Sequence, residues 1–140
     1  DIDLRLFMSH WKYCYSLTEE GSNRTLRSIQ FFDKAGIAIH PDVLVSDIQH
    51  LLTNIHQVIV MTVVPGFGGQ KFMHNQVAKI RDLNDLRKNK NYNFDISVDG
   101  GINNETGKIC INNGADILAV GSYLLSKDQK DYGKFIELLK

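Results

Sequence analysis

Glycines that can bind an anion follow three predicted strands of this 140-residue chain. In chain order they are Gly66, Gly68 and Gly69, then Gly100 and Gly101, and then Gly121. Glycine permits positive φ and lets the backbone approach a ligand closely. Clustered backbone N–H groups form an anion site without lysine. One such glycine alone is more simply a turn residue, but three sets at one sheet edge favour a phosphate site.

Asp99 lies directly before the second glycine set and ends a predicted strand at the same edge. A carboxylate in that position can act as a general base or as a metal ligand. It can equally cap a helix or form a turn through its own side chain. The position of Asp99 alone leaves these interpretations open.

The elements that position these residues follow one plan from Gly36 onward: an apolar strand, a glycine-containing or polar loop, and a longer amphipathic stretch. Such alternation predicts βαβ units and a parallel sheet. The predicted strands cover 36–40, 58–63, 94–98 and 117–120, and the predicted helices cover 47–52, 74–88, 105–112 and a C-terminal stretch ending near 139. Ser46 is predicted to cap the first helix, and Gly114 to end the third.

The first 35 residues show a weaker pattern. Ile2, Leu4 and Leu6 alternate with charged residues, which predicts a strand over 2–7. The spacing of the apolar residues in 25–32 predicts a helix. Residues 11–23 show no clean period and are predicted to form a loop or an irregular segment.

Composition excludes several classes of protein. The 16 basic residues balance 16 acidic ones, so no broad positive surface for nucleic acid or anionic membranes is expected. The apolar run near 58–64 is too short to span a bilayer, and no signal peptide is evident. The two cysteines, Cys14 and Cys110, show no metal-ligand spacing, which favours a reduced, cytoplasmic protein. Because the chain begins with Asp1, a fragment or trimmed form is expected.

Three segments together carry a resemblance to a known family. They are Val60–Val63 followed by Pro65–Phe72, then Val98–Asn103, and then Gly114–Asp116 leading to Gly121 and Ser122. Their order and spacing resemble strands six to eight of ribulose-phosphate 3-epimerases, over about residues 24–140. The resemblance implies an α/β fold of the TIM (β/α)₈-barrel type. It implies one domain over 1–140, with strands five to eight within about 35–140 and 1–34 an irregular remnant of earlier strands, so the barrel is incomplete at its N-terminal side.

The resemblance also implies an isomerase of the pentose phosphate pathway that interconverts ribulose 5-phosphate and xylulose 5-phosphate. Asp99 would be one of two catalytic aspartates and a ligand of a divalent zinc, iron or manganese ion. Met61 would lie beside the enediolate. Residues that would hold the substrate and its phosphate are Gly66, Phe67, Gly68, Gly69, Gly100, Gly101, Gly121 and Ser122. The expected partner is a small phosphosugar, with no nucleic acid or membrane, and a homo-oligomer is expected.

Departures from the family pattern leave two alternatives. Arg5 stands where the family has a metal-binding histidine, and no counterpart of the second catalytic aspartate is visible. This chain as written is therefore expected to be an inefficient epimerase. The alternatives are an epimerase acting on allulose 6-phosphate and a non-catalytic phosphosugar-binding homologue. The segment Gly100–Asn103 favours the pentulose enzyme, because hexulose-phosphate relatives often carry serine at the second glycine.

Overall fold

The computed structural model describes the backbone of residues 13–20 and 25–32 and the full structure of residues 36–139. The chain divides into two compact units, Asp1–Ala35 and Gly36–Lys140. The described residues of the first unit form two antiparallel strands, β1 (Tyr13–Glu20) and β2 (Thr25–Phe32). Their register pairs Tyr13 with Phe32 at one end and Glu20 with Thr25 at the other.

This hairpin corrects two predictions for the first unit. The helix predicted over 25–32 is wrong, and so is the irregular segment where it overlaps 13–20, because both stretches are strands. An apolar residue at every third position fits a helix, but the β-branched and aromatic residues of Thr25–Phe32 also suit a paired strand. The strand predicted over 2–7, like Arg5, lies outside the described residues. The single barrel domain over 1–140 stays a prediction.

The second unit contains a four-stranded parallel sheet with strand order β3-β4-β5-β6. The strands are β3 (Gly36–Ile39), β4 (Gln57–Met61), β5 (Asp95–Asp99) and β6 (Ile117–Ala119). Each strand pairs with its neighbour in sequence, and helices alternate with the strands. The predicted parallel α/β sheet is confirmed, and the arrangement is that of part of a TIM barrel.

Five helices accompany these strands in the described part of the chain. They are α1 (Val45–Ile48), α2 (Val77–Lys90), α3 (Asn104–Asn112), α4 (Ser122–Leu125) and α5 (Tyr132–Glu137), with 3₁₀ turns at Gln49–Leu51, His74–Gln76 and Gln129–Asp131. No helix in the described part of the chain has the length and apolar character needed to span a membrane.

Two helix predictions need correction. Ser46 lies inside α1 rather than at its cap; the residue before α1 is Leu44, whose N–H donates to the Asp47 carboxylate over 3.0 Å. The predicted continuous C-terminal helix is divided between α4 and α5. The helix is interrupted near Asp128. The carboxylate of Asp128 accepts a hydrogen bond from the N–H of Lys130 and so caps the separate 3₁₀ turn at Gln129–Asp131.

The core lies on one face of the parallel sheet. Val58 and Val60 of β4 and Ile96 and Val98 of β5 are fully buried. On α2, Ile80 and Leu83 are equally buried and form the core-facing side of that helix. Burial of such aliphatic side chains stabilises a fold by about 1.5–3 kcal/mol each. These buried side chains therefore hold α2 against the buried face of the sheet.

A salt bridge fixes the edge of the sheet where the strands begin. Arg87 of α2 donates to the Asp116 carboxylate through both terminal nitrogens, at 2.5 and 3.1 Å, and to the carbonyl oxygen of Phe94 at 3.0 Å. Asp116 in turn accepts from the N–H of Ile96 over 2.7 Å. A planar guanidinium suits this bidentate geometry. The starts of β5 and β6 are thus aligned by one cluster.

The end of α3 agrees with its sequence. Gly114 follows the last helical turn with φ of 105°, and a Cβ there would lie 2.3 Å from Cγ of Asn84. Only glycine adopts this conformation in this space without strain. The prediction that Gly114 ends the helix is confirmed.

Replacement of Leu83 by alanine tests the core. We expect Leu83→Ala to lower the free energy of unfolding by about 2–5 kcal/mol, because it removes buried methyl groups and leaves a cavity. Urea unfolding followed by circular dichroism measures the change. The neighbouring Arg81 is exposed, so Arg81→Ala should shift the free energy by less than about 0.5 kcal/mol. A similar small loss for both variants would contradict the assignment of the α2 core face.

Candidate functional site

Three parallel strands end side by side at one edge of the sheet. The register places Met61 of β4 next to Asp99 of β5, and Asp99 next to Ala119 of β6. Since the strands are parallel, the loops that follow them leave the same edge. The carboxyl ends of strands in such sheets are where ligands bind.

A cavity of about 400 Å³ lies between these loops. It is lined by all ten residues that the sequence suggested: Met61, Gly66, Phe67, Gly68, Gly69, Asp99, Gly100, Gly101, Gly121 and Ser122. Val63, Pro65, Gln70, Ile102 and Ala119 complete the lining. Among the described residues no lysine or arginine lines the cavity. An anion there must therefore be held by backbone N–H groups and polar side chains.

Thr62 lies in sequence between the lining residues Met61 and Val63 and joins the first two loops. It is fully buried, and its N–H donates to the carbonyl oxygen of Asp99 over 2.8 Å. Its hydroxyl lies 2.6 Å from the carbonyl oxygen of Gly100 and 3.0 Å from that of Asp99. Its own carbonyl oxygen accepts from the N–H of Met73 over 2.8 Å. One residue thus ties both ends of the loop after β4 to the end of β5.

The turn formed by Gly100 and Gly101 requires glycine. Their φ angles are 122° and 64°, in the region that side chains disfavour. A Cβ on Gly100 would lie 2.5 Å from Cγ2 of Val63, and one on Gly101 would lie 2.7 Å from the backbone nitrogen of Phe72. The glycine turn therefore packs closely against Val63 and against the backbone of Phe72, and it leaves no space for a side chain.

Free backbone donors are available at this turn. Within the described part of the chain, the N–H groups of Gly101 and Ile102 donate no hydrogen bond to protein. Those of Gly121 and Ser122, across the cavity, also donate none to a described residue. Successive N–H groups at a turn with positive φ make a concave site for an anion. The geometry suits a phosphate group between the loops after β5 and β6.

The loop after β4 is held in shape by Gln70. Its side-chain amide donates to the carbonyl oxygens of Val64 at 2.6 Å and Phe67 at 2.9 Å. Phe67 itself is 75% exposed, although it lines the cavity mouth. An exposed ring at the rim can cover an apolar part of a bound ligand.

Asp99 is the acidic group of the cavity. Its side chain is accessible from the cavity, yet nearby protein atoms remove enough water to raise the pKa of its carboxyl. Desolvation disfavours the charged form of a carboxylate, which is the cause of this shift. A higher pKa makes the ionised carboxylate a stronger base at neutral pH.

Comparison with known proteins decides which family carries this arrangement. The sequence profile of the Ribulose-phosphate 3 epimerase family matches residues 10–125. This chain belongs to that family.

Several proteins similar to this chain are named ribulose-phosphate 3-epimerases. The chain is 38% identical to the ribulose-phosphate 3-epimerase of Bacillus subtilis (strain 168) over 69% of this chain and 45% of the relative. It is 40% identical to that of Methanocaldococcus jannaschii over 66% of this chain and 39% of the relative. The chloroplastic ribulose-5-phosphate-3-epimerase of Arabidopsis thaliana is 37% identical over 84% of this chain and 42% of the relative. The chain thus spans less than half the length of these relatives.

The family resemblance implied a metal ion, and the described residues do not assemble a site for one. Within them, no group of three or more His, Cys, Asp or Glu side chains comes together to hold a metal ion. Protein metal sites require several such ligands with fixed geometry. Asp99 offers one carboxylate, so its role as a metal ligand stays a prediction.

Sequence reasoning missed two side chains that shape this epimerase-family site. Thr62 lies in the segment Val60–Val63, and its hydroxyl is the signal that could have found it, because a buried hydroxyl at the end of an apolar strand needs a partner. Thr106 donates to the carbonyl oxygen of Gly101 over 3.0 Å. Its position three residues after Asn103 matches a capping pattern that the sequence already contained.

The raised pKa of Asp99 gives a testable pH dependence of stability. In the folded protein the carboxyl protonates at higher pH than in the unfolded chain, where its ordinary value is 3.8. The ionised, partly desolvated carboxylate therefore costs stability at pH 7, and this cost disappears as the pH falls below both values. We expect Asp99→Asn to be at least as stable as wild type at pH 7, with the advantage decreasing toward pH 4.

Urea unfolding at a series of pH values measures this difference. Asp95→Asn, at the exposed start of the same strand, serves as the matched control and should change the free energy of unfolding little. A clear destabilisation of Asp99→Asn at pH 7 would show that the carboxylate is stabilised by its surroundings, and would contradict desolvation as the dominant effect on Asp99.

Proposed function

We propose that this chain carries the phosphate grip and one acid/base group of a ribulose-phosphate 3-epimerase. The substrate is a small phosphorylated ketose, ribulose 5-phosphate. Its phosphate binds the backbone N–H groups of Gly101, Ile102, Gly121 and Ser122, and Asp99 faces the carbon that changes configuration. The observation that carries the proposal is the cavity where the partly desolvated carboxylate of Asp99 and free N–H donors meet without a lysine or arginine in its described lining.

The cavity separates two kinds of chemistry. A phosphate and a carboxylate repel each other, so the phosphate must bind away from the side chain of Asp99. The turn at Gly100 and Gly101 continues from β5 beyond Asp99, and Gly121 follows the neighbouring strand. A ketose phosphate is long enough to place its terminal phosphate on these loops while its C3 atom lies at the strand end.

The chemical step of the proposal is a proton exchange at C3. The Asp99 carboxylate removes the C3 proton, and the electron pair of the C–H bond moves toward the C2 carbonyl oxygen to give an enediolate. Return of a proton to C3 on the same face restores ribulose 5-phosphate, and delivery on the opposite face gives xylulose 5-phosphate. Inversion therefore requires a second proton donor opposite Asp99, which the described residues of the cavity do not supply.

A second candidate is a non-catalytic protein that binds phosphosugars through the same glycine loops. The observation that favours it is that the described residues contain no group of three or more His, Cys, Asp or Glu side chains that could hold a metal ion. The two candidates share the phosphate grip and differ in the chemistry of Asp99. Four further points stay predictions: the acceptance of allulose 6-phosphate, the nature of a metal ion, the formation of a homo-oligomer, and a cytoplasmic location.

Deuterium exchange separates these candidates. Ribulose 5-phosphate is incubated with the chain in D₂O, with zinc, iron(II) or manganese(II) supplied, and the C3 proton is followed by NMR. We expect loss of the C3 proton signal with little xylulose 5-phosphate formed, because one base acts on one face. Asp99→Asn should slow exchange by roughly 10²–10⁴, the usual contribution of a general base.

The controls define the outcomes. Asp95→Asn should exchange at the wild-type rate. Binding of ribulose 5-phosphate without any exchange above background would support the non-catalytic candidate. Equal exchange by wild type and Asp99→Asn would remove Asp99 from the reaction, and rapid formation of xylulose 5-phosphate would show that the chain supplies a second acid/base group.

A further inference from the structure

Two buried threonine hydroxyls hold the two carbonyl groups of the glycine turn. The hydroxyl of Thr62 lies 2.6 Å from the carbonyl oxygen of Gly100, and that of Thr106 lies 3.0 Å from the carbonyl oxygen of Gly101. Thr62 is fully buried and Thr106 is 6% exposed. Each hydroxyl approaches the turn from a different element, since Thr62 follows β4 and Thr106 belongs to α3.

The direction of a carbonyl determines the direction of the next N–H group. In a planar trans peptide the C=O and the N–H of the same unit point opposite ways, and the structure contains no cis peptide bond among its described residues. The carbonyl of Gly100 points at Thr62, so the N–H of Gly101 points away from Thr62. For the same reason the N–H of Ile102 points away from Thr106. Gly101 and Ile102 line the cavity, and the N–H group of neither residue donates a hydrogen bond to a described residue.

A glycine pair needs such restraint. With no Cβ on either residue, the peptide between Gly100 and Gly101 can adopt several orientations at low cost. Rotation of this peptide would turn a carbonyl oxygen toward the cavity, where it would repel an anion. A hydrogen bond from a buried hydroxyl opposes the rotation, because the rotated Gly100 carbonyl would lose its partner. The hydroxyl of Thr62 would then keep only its longer contact, at 3.0 Å to the carbonyl oxygen of Asp99.

We propose that Thr62 and Thr106 are positioning residues that aim the N–H groups of Gly101 and Ile102 at the phosphate of the substrate. The inference rests on the proposed function for the nature of the ligand. It goes beyond that function because it makes phosphate affinity depend on two side chains that do not line the cavity. Thr62 is the sharper test, because Thr106 also takes part in the cap of α3 through Asn103.

The experiment compares Thr62→Val with Thr62→Ser in the full chain. Valine keeps the shape and removes the hydroxyl, whereas serine keeps the hydroxyl. The probe is inorganic phosphate, titrated into ¹⁵N-labelled protein while the amide signals of Gly101 and Ile102 are followed. We expect Thr62→Val to weaken phosphate binding by about tenfold, the scale of one hydrogen bond, and Thr62→Ser to bind within about twofold of wild type.

Val58→Ala is the matched control for a loss of stability alone. Val58 is fully buried in β4, the strand that leads to Thr62, and its truncation removes packing without touching the turn. It should lower stability and leave phosphate binding unchanged. If Thr62→Val binds phosphate as wild type does, or if Val58→Ala weakens binding equally, the positioning role is overturned. If Thr62→Val does not fold, Thr62→Ser decides instead: binding more than about fivefold weaker than wild type would overturn the role.

The outcome is independent of catalysis. Weakened phosphate binding by Thr62→Val supports the inference even where the chain exchanges no C3 proton, a result that counts only against the proposed reaction. Conversely, normal proton exchange together with unchanged phosphate binding by Thr62→Val leaves the proposed reaction intact and overturns the inference. Absence of phosphate-induced shifts at Gly101 and Ile102 in wild type would also overturn it.

Discussion

The parallel register of β4, β5 and β6 is the constraint on which the site depends. Because Met61, Asp99 and Ala119 lie side by side, the loops after three strands converge at one edge. The salt bridge of Arg87 with Asp116 fixes the opposite edge, where β5 and β6 begin. A shift of the register by one residue would turn Asp99 toward the helix layer and place Val98 at the cavity, since side chains alternate along a strand.

The proposed recognition of phosphate by backbone N–H groups is compatible with the balanced charge of the chain. A cavity lined by glycines, with no lysine or arginine among its described lining residues, does not need a positive field to hold phosphate at short range. Because this described lining places no cation beside Asp99, desolvation raises the pKa of its carboxyl without an opposing charge from the lining. A basic side chain beside Asp99 would favour the ionised carboxylate and make it a weaker base. In the proposed site, the phosphate-binding N–H groups and the acid/base role of Asp99 are thus compatible, because N–H groups carry no formal charge.

Much of this arrangement could be predicted from the sequence, because its causes are local. Apolar runs such as Val58–Met61 predicted buried parallel strands, and the glycines after them predicted the loops that line the cavity. The hairpin of β1 and β2 could not be predicted in the same way. The apolar spacing of Thr25–Phe32 fits a helix as well as a strand, and pairing with Tyr13–Glu20 is a non-local choice.

The role of Thr62 shows the same limit at the site. Its partners, the carbonyl groups of Asp99 and Gly100, lie 37 and 38 residues away in sequence. A polar residue at the end of an apolar strand indicates that some partner exists, but only the three-dimensional register identifies it. Likewise, the sequence placed glycine at Gly101 without showing that the backbone of Phe72 occupies the space beside it.

A crystal structure of the chain with ribulose 5-phosphate tests the central claim most directly. We expect phosphate oxygens about 2.7–3.2 Å from the N–H nitrogens of Gly101, Ile102, Gly121 and Ser122. We also expect C3 of the sugar to lie beside the carboxylate of Asp99. Phosphate bound at the opposite edge of the sheet, near Arg87 and Asp116, or a sugar whose C3 points away from Asp99, would contradict the claim.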